Sequence, residues 1–216
     1  MRDLDPVQVR VLGCLIEKQQ TTPDAYPLTL NSLRLACNQS TNRDPVVDYD
    51  EATVREAAQR LGQEGLARLA SYHGSRAHKY RHLVDEALGV APDERALLSV
   101  LMLRGPQTLG ELKQRTERMH TFADLQAVQG ALDRLTEREL GQWLERRPGQ
   151  KEARYTHLLE DGPAPVAGAD RPAAPVVAAT VPRGDGDLAA EVALLRDDVE
   201  SLRAELAALR DRLATG

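Results

Sequence analysis

Histidines, cysteines and clustered basic side chains are the groups in this chain whose types could bind a ligand or do chemistry. The chain has five histidines. His78 and His82 lie four residues apart on a predicted strand, which separates them by about 13 Å, too far to share one metal ion. No other histidine has ligand-like spacing to a second donor, so we predict neither a metal site nor a cofactor.

Signatures of catalysis are also absent from the sequence. It has no glycine-rich phosphate loop, no nucleophile elbow and no paired cysteine–histidine arrangement, and we predict that the protein is not an enzyme. Cys14 and Cys37 fall among apolar neighbours on predicted helices, as reduced core thiols do. Because no apolar run reaches the ~18 residues of a membrane span, and the start leads straight into a helix, the sequence predicts a cytoplasmic protein without a membrane partner.

Two basic segments that are predicted to be hairpins are the first candidates for a binding site. Residues 71–82 contain three cations, three histidines and no acid, whereas residues 142–157 mix four cations with two acids. Such cations suit contacts with the DNA backbone. Alternatively, the same residues are charges at the hairpin edges that keep these strands from pairing with strands of other chains. The candidate DNA-contacting residues are Arg76, Lys79, Arg81, Arg146, Arg147, Lys151 and Arg154.

The chain is not basic overall, so nucleic acid could bind only to a local basic patch of its surface. Residues 1–161 contain 22 Lys+Arg and 24 Asp+Glu. The predicted helices 50–64 and 122–139 each carry a net charge of −2. On these helices Arg60 and Arg134 either lie on a solvated face, cover apolar surface with their stems or pair with nearby acids. A third basic cluster surrounds another predicted helix and comprises Arg104, Lys113, Arg115, Arg118 and His120.

The elements that must position these charges occur twice along the chain. Residues 54–66 recur at an offset of 74, residues 80–83 at an offset of 75, and residues 27–33 at an offset of 79. Each recurrence keeps its apolar positions, so one small domain has been duplicated. The falling offset shows that the first copy has longer loops before its second and third helices.

Helix-start signals and hydrophobic periods give both copies the same order of elements. Asp5, Asp50 and Asp93 are predicted to cap helices, and Thr108 with Glu111 to form a capping box. After each third helix the period changes to two, which predicts hairpins at 66–83 and 140–158. Three helices followed by a hairpin is the winged-helix order. We predict a mainly α fold with small β-hairpins (α+β), with winged-helix domains at 1–88 and 89–161.

The last part of the chain has a different character. Residues 162–187 are rich in Pro, Ala and Gly and are predicted to form a flexible linker. Residues 188–214 have the apolar 4-3 spacing of a coiled coil, and their g and e positions pair acids with arginines in a parallel homodimer. The alternative is an amphipathic helix that folds back on its own domain. The predicted dimerisation residues are Leu188, Val192, Leu195, Val199, Leu202, Leu206, Leu209 and Leu213.

Several specific segments resemble the YceH-like family of uncharacterised bacterial proteins. They are residues 11–18, 21–24, 26–31, 36–39, 42–43, 103–108, 110–112, 122–125, 147–150, 152 and 154–155. The resemblance implies a tandem winged-helix fold and brings no established activity or binding site. Ser40-Thr41 stands where the family pattern leads us to expect a Lys-Ser pair, which removes one cation.

Two functions from different classes follow from these patterns. The first is a dimeric DNA-binding or regulatory protein that contacts the DNA backbone through its basic wings. The second is a protein-interaction scaffold, similar in architecture to the acidic tandem winged-helix subunits of chromosome-organising complexes. The basic wings favour DNA as the partner, and the acidic third helices favour another protein.

Overall fold

The computed structural model describes residues 3–70, 78–146 and 152–160. Over these residues the fold is mixed α/β, with seven α-helices and small antiparallel sheets. Several predictions lie outside the described residues: the hairpin tips, the linker, the C-terminal helix with all eight of its dimerisation residues, and the candidates Arg76, Arg147 and Lys151.

The first copy contains three helices and three short strands. A 3₁₀ turn, Pro23–Ala25, follows the first helix where two prolines prevent the helix from continuing. The elements are α1 Pro6–Thr21, β1 Leu28–Thr29, α2 Leu30–Cys37, α3 Glu51–Gln63, β2 Ala67–Ala70 and β3 Lys79–His82.

The second copy repeats this order after a short connecting helix, α4 Val84–Leu88. The predicted third helix, 122–139, is shorter in the structure, because Asp124 caps it and accepts a 2.8 Å hydrogen bond from the Ala127 N–H. The elements are α5 Pro92–Arg104, α6 Leu109–Thr116, α7 Leu125–Glu137, β4 Gly141–Leu144 and β5 Arg154–His157.

Capping groups start the helices as predicted, with one exception. Asp5, Asp50 and the Thr108–Glu111 box cap α1, α3 and α6. The prediction that Asp93 caps a helix is wrong. Pro92 takes the first helical position, the N-cap is Ala91, and its N–H donates to the Glu94 side chain over 2.8 Å. Asp93 therefore lies inside the first turn, where its carboxylate is available to other partners.

The strands pair in two small antiparallel sheets. The first has the order β1-β3-β2, with Leu28 opposite Tyr80 and Ala67 opposite His82. The second joins β4 to β5. Gln107 and Tyr155 form an isolated bridge beside β5, with backbone hydrogen bonds of 3.0 and 2.7 Å. This bridge gives the second sheet the counterpart of the β1–β3 pairing.

One hydrophobic cluster extends through both copies, and α1 packs closely against α5 within it. Gly13 permits the approach, because a β-carbon there would lie 3.0 Å from the Leu103 side chain. Ser99 donates a 3.2 Å hydrogen bond to the Gly13 carbonyl. The predicted burial of Cys14 and Cys37 is confirmed. None of the helices in the described ranges combines the length and the apolar character needed to cross a bilayer.

Candidate functional site

The arginines of the two third helices are bound by carboxylates of the same chain. Arg60 on α3 donates to Asp5 over 2.9 Å and also pairs with Glu56. Its counterpart Arg134 on α7 donates from Nε to Glu94 over 2.8 Å. The hydrogen bond that Arg134 donates to Glu94 raises the pKa of Arg134. Of the three possibilities for Arg60 and Arg134, namely a solvated face, cover for apolar surface or pairing with acids, the structure has the pairing with acids.

Glu94 is the centre of the stronger of these two clusters. Its carboxylate is fully buried and accepts from Arg134, from the Ala91 N–H and from Arg138 over 3.2 Å. The second Arg134 contact is to Asp93 at 2.5 Å. In the first copy the same helix position is Gln8, whose amide binds Asp5 and Glu64 instead. Both clusters tie a third helix to the start of the preceding first helix.

Four of the seven predicted DNA-contacting residues are described, and two of them are ion-paired. Arg81 lies 3.1 Å from Glu86, and Arg154 lies 3.0 Å from Glu111. Arg154 also donates to the Pro106 carbonyl over 2.9 Å, so it braces the start of α6. Lys79 and Arg146 have no acidic partner in the described part of the chain. Lys79 and Arg81 belong to the first sheet, whereas Arg154 lies in the second sheet and Arg146 just beyond its strand β4.

Each predicted wing contains one buried histidine. His82 in β3 and its counterpart His157 in β5 have Nδ1 atoms that each accept a 3.3 Å hydrogen bond from a backbone N–H two residues later. Burial lowers the pKa of both histidines to about 4. Since Nδ1 is an acceptor, Nε2 of His82 carries the proton and donates to Gln19 over 2.6 Å. Both are neutral core groups at pH 7, so they make no phosphate contacts.

The third basic cluster lines a pocket between the two copies. The pocket has a volume of about 680 Å³. Arg104, Arg115 and Arg118 of the predicted cluster reach it, whereas Lys113 and His120 do not. Lys18 from α1 joins them, and the sequence reasoning missed this residue. The remaining lining residues are Glu17, Thr21, Thr22, Gln39, Thr41, Asn42, Val100, Leu103, Gln114 and Met119.

A buried arginine neutralises the single acid in this lining. Arg43 donates to both oxygens of Glu17, over 3.1 and 2.6 Å, and its side chain is completely buried. It also donates to Gln39 over 2.9 Å and to the Asn42 carbonyl over 2.9 Å. Burial acts to lower the pKa of Arg43, but the hydrogen bonds to Glu17 leave it raised. The shortest contacts of the Glu17 carboxylate are therefore with Arg43, and the Lys18 Nζ lies farther away, at 3.7 Å.

The positive side chains at the pocket are close enough to repel one another. Burial lowers the pKa of Arg104, and the charges of Arg115 and Arg43 lower it further. Arg104 is held by a hydrogen bond to the Asn42 side chain, and Asn42 has a left-handed backbone with φ of 60°. Asparagine tolerates that conformation better than most residues. Arg118 is exposed and has no acidic partner among the described residues.

A sequence signal for the pocket existed in its loops. Thr21 and Thr22 belong to a polar segment without a core pattern, and Asn42-Arg43 is one of the specific segments of the family resemblance. Neither segment, however, indicates which helix it contacts in the folded protein. In the residues that the structure describes, no three His, Cys, Asp or Glu side chains come together as a metal site would require.

Comparisons with known proteins match most of the chain. A family profile described as "Protein of unknown function, DUF480" matches residues 4–150. A UPF0502 protein of Pelobacter propionicus is 48% identical over 214 residues, which cover 96% of this chain and 93% of the relative. A UPF0502 protein of Pseudomonas fluorescens is 43% identical over 211 residues, covering 98% and 92%. One of Geobacter sulfurreducens is 53% identical over 162 residues, covering 74% of each. The profile match includes every residue that lines the pocket.

Proposed function

Because the chain belongs to the DUF480 family, whose relatives are called UPF0502 proteins and to which the label YceH-like applies, we propose a function that uses its duplicated fold for binding rather than catalysis. The protein is a non-enzymatic interaction scaffold made of two winged-helix domains, 1–88 and 89–161. Its partner is another protein, which it contacts through the acidic third helices.

The order of elements supports the winged-helix assignment. The first copy runs helix, strand, helix, helix, strand, strand, and its strands form the sheet β1-β3-β2. The second copy has the same helices and hairpin, with the Gln107–Tyr155 bridge in the position of the β1–β3 pairing. In winged-helix DNA binders the third helix reads bases from the major groove.

The ion pairs on the third helices are the observation that carries the scaffold proposal. Base readout needs side-chain donors that are free to meet a base edge. Arg60 and Arg134 instead donate to Asp5 and Glu94. On α3 the side chains of Glu51 and Glu56 remain 51% and 64% exposed. These acids pair with Arg55 and Arg60, each 49% exposed, and it is Asp50 and Glu64 at the two ends that give residues 50–64 their net charge of −2. That excess of acid disfavours phosphate and suits a partner with a basic surface.

DNA remains a second candidate because two wing cations are unpaired. Lys79 and Arg146 have no acidic partner within the described ranges. Together with Arg76, Arg147 and Lys151 they would contact the phosphate backbone and give binding without base readout.

Fluorescence anisotropy of a labelled random duplex separates the two functions. The scaffold proposal expects no salt-dependent binding of the duplex at 50 mM salt. Binding through phosphate contacts would weaken steeply as the salt concentration rises, because each contact adds about 0.9 to the slope of log K against log salt. Steep salt-dependent binding that is lost in Lys79→Gln/Arg146→Gln would overturn it in favour of DNA.

Affinity capture with the full chain supplies the positive test. The scaffold proposal expects a partner from the native bacterial extract to be retained by the wild type and by Lys79→Gln/Arg146→Gln. The same partner should be lost with Glu51→Gln/Glu56→Gln, because the exposed acids of α3 are then removed. A partner retained equally by both variants would contradict a role for α3.

A further inference from the structure

We propose that the pocket between the two copies binds a phosphorylated small molecule, with Lys18, Arg104, Arg115 and Arg118 as its phosphate-binding side chains. The inference does not depend on the scaffold function. The four cations come from different parts of the fold: α1, α5, α6 and the turn after α6. Only the packing of α1 against α5 brings them to one concavity.

The charge balance of the pocket calls for an anion. Four of its lining side chains are cationic and one, Glu17, is anionic. Arg43 donates to both Glu17 oxygens, and the Lys18 Nζ lies 3.7 Å from one of them, so this single carboxylate already serves two cations. Arg115 has only a 3.5 Å contact with Glu111, and Arg118 has no acidic partner in the described part of the chain. Cations held together without counter-charge cost free energy, which a bound anion removes.

The identity of the cations indicates phosphate. Three of the four are arginines, whose planar donor forks match phosphate oxygens in pairs. Arg104 is already oriented by its hydrogen bond to Asn42, so its guanidinium is ordered before a ligand arrives. Burial, followed by the charges of Arg115 and Arg43, lowers the pKa of Arg104. A dianionic phosphate would relieve that repulsion more fully than a single carboxylate.

The rest of the lining favours a small molecule over a nucleic-acid backbone. A volume of about 680 Å³ is within the usual range for small-ligand pockets. The Thr41 hydroxyl can bind a sugar or ester oxygen, and Val100 and Met119 supply apolar surface for the remainder. The Thr21 and Thr22 hydroxyls donate to the carbonyls of Glu17 and Lys18, so toward a ligand they can act only as acceptors. A duplex presents its phosphates on a convex surface and would need exposed cations on a face rather than in a concavity.

Isothermal titration calorimetry on the full chain tests the proposal with defined probes: inorganic pyrophosphate, ATP and adenosine. Arg115→Gln/Arg118→Gln removes two pocket cations that make no buried contact. Lys113→Gln/Arg68→Gln is the matched control, because it removes two exposed or half-exposed cations outside the pocket lining and changes the net charge equally. We expect pyrophosphate and ATP to bind the wild type and the control, and the pocket variant to bind both about tenfold more weakly. Adenosine, which has no phosphate, should not bind.

Three results would overturn the proposal. The first is no heat with pyrophosphate or ATP. The second is equal weakening in the pocket variant and the control, which would mean that net charge rather than the pocket attracts the anion. The third is equal affinity for sulfate at the same concentration, which would mean a nonspecific anion site. Binding of duplex DNA that the pocket variant abolishes would likewise overturn the proposal, because the phosphate would then belong to a nucleic-acid backbone and not to a small molecule.

Discussion

Arg134 and Glu94, which lie 40 residues apart in the chain, are joined by a 2.8 Å hydrogen bond between the Arg134 Nε and the buried Glu94 carboxylate. The bond ties the third helix of the second copy to the first turn of α5. The equivalent connection in the first copy runs from Arg60 to Asp5. Both copies therefore connect the third helix to the start of the first helix. The acid is the N-cap residue in the first copy and the third helical residue in the second.

Replacing Glu94 by glutamine should destabilise the protein by about 1–3 kcal/mol. The amide would offer Arg134 and Arg138 one neutral oxygen in place of a buried carboxylate, and its NH₂ group would face their donors. Glutamine is a fair probe because Gln8 occupies this position in the first copy. Urea unfolding followed by circular dichroism measures the change.

Glu56→Gln is the matched control for that experiment. The Glu56–Arg60 pair is exposed and screened by solvent, so its loss should change the free energy of unfolding far less than the loss of the Glu94 carboxylate does. Equal effects of Glu94→Gln and Glu56→Gln would show that burial adds nothing to the Glu94 cluster.

The stability of the protein should fall between pH 6.5 and pH 4 because of His82 and His157. Burial lowers the pKa of each from 6.5 to about 4, although Asp85 acts to raise the value for His82. Within that window the unfolded chain binds protons that the folded chain does not, so the free energy of unfolding decreases as the pH falls. Each histidine contributes up to about 3 kcal/mol, lost by pH 4 and fully present above pH 6.5.

Urea titrations at several pH values, compared between the wild type and His82→Asn or His157→Asn, measure this dependence. Asparagine keeps an acceptor near the Nδ1 position but does not titrate in this range. Each variant should lose about half of the histidine-dependent slope, and an unchanged slope would contradict the assignment. Carboxylates titrate in both the wild type and the variants, so the difference isolates the histidines.

Local features of the fold could be predicted from the sequence because they depend on neighbouring residues. The caps at Asp5 and Asp50 and the Thr108–Glu111 box need only the residues within one turn of helix. The wrong prediction that Asp93 is a cap also concerns residues within one turn of helix. A proline at the first helical position let Ala91 serve as the cap, so the better capping residue was displaced into the first turn.

The pocket could not be predicted because it depends on long-range packing. Lys18 and Arg104 are 86 residues apart and meet only where α1 packs on α5. The sequence also does not tell a solvated arginine from one whose side chain is completely buried, as that of Arg43 is in the loop between α2 and α3. The burial of His82 could be predicted in part from the sequence. Tyr80 and His82 are two residues apart, so they share one face of a strand, and Tyr80 is a core residue.

Gly141→Ala should destabilise the second sheet by about 1–3 kcal/mol through overpacking. A β-carbon at Gly141 would lie 2.5 Å from the Tyr155 ring and 2.8 Å from the Thr156 carbonyl. The ring has little freedom to move, because its hydroxyl donates a 3.0 Å hydrogen bond to the Leu132 carbonyl. Thermal unfolding followed by circular dichroism measures the effect.

Gly130→Ala is the matched control for this substitution. Gly130 lies in the interior of α7, and an added β-carbon would meet only the flexible Arg134 side chain at 4.0 Å. Removing backbone freedom there should stabilise the protein by about 0.5–1 kcal/mol. The two Gly→Ala changes are thus expected to have opposite signs, and a stabilising Gly141→Ala would contradict the close packing of Tyr155.

Deleting residues 188–216 should halve the molar mass of the protein measured by multi-angle light scattering. The predicted coiled coil places Glu191, Asp198 and Glu205 opposite arginines of a parallel, in-register partner, whereas an antiparallel pairing would set like charges together. Leu202→Asp, which introduces a charge at a core d position without shortening the chain, should give the same monomer. A full-length chain that is already monomeric would refute the dimer and leave the alternative, in which this helix folds back on its own domain.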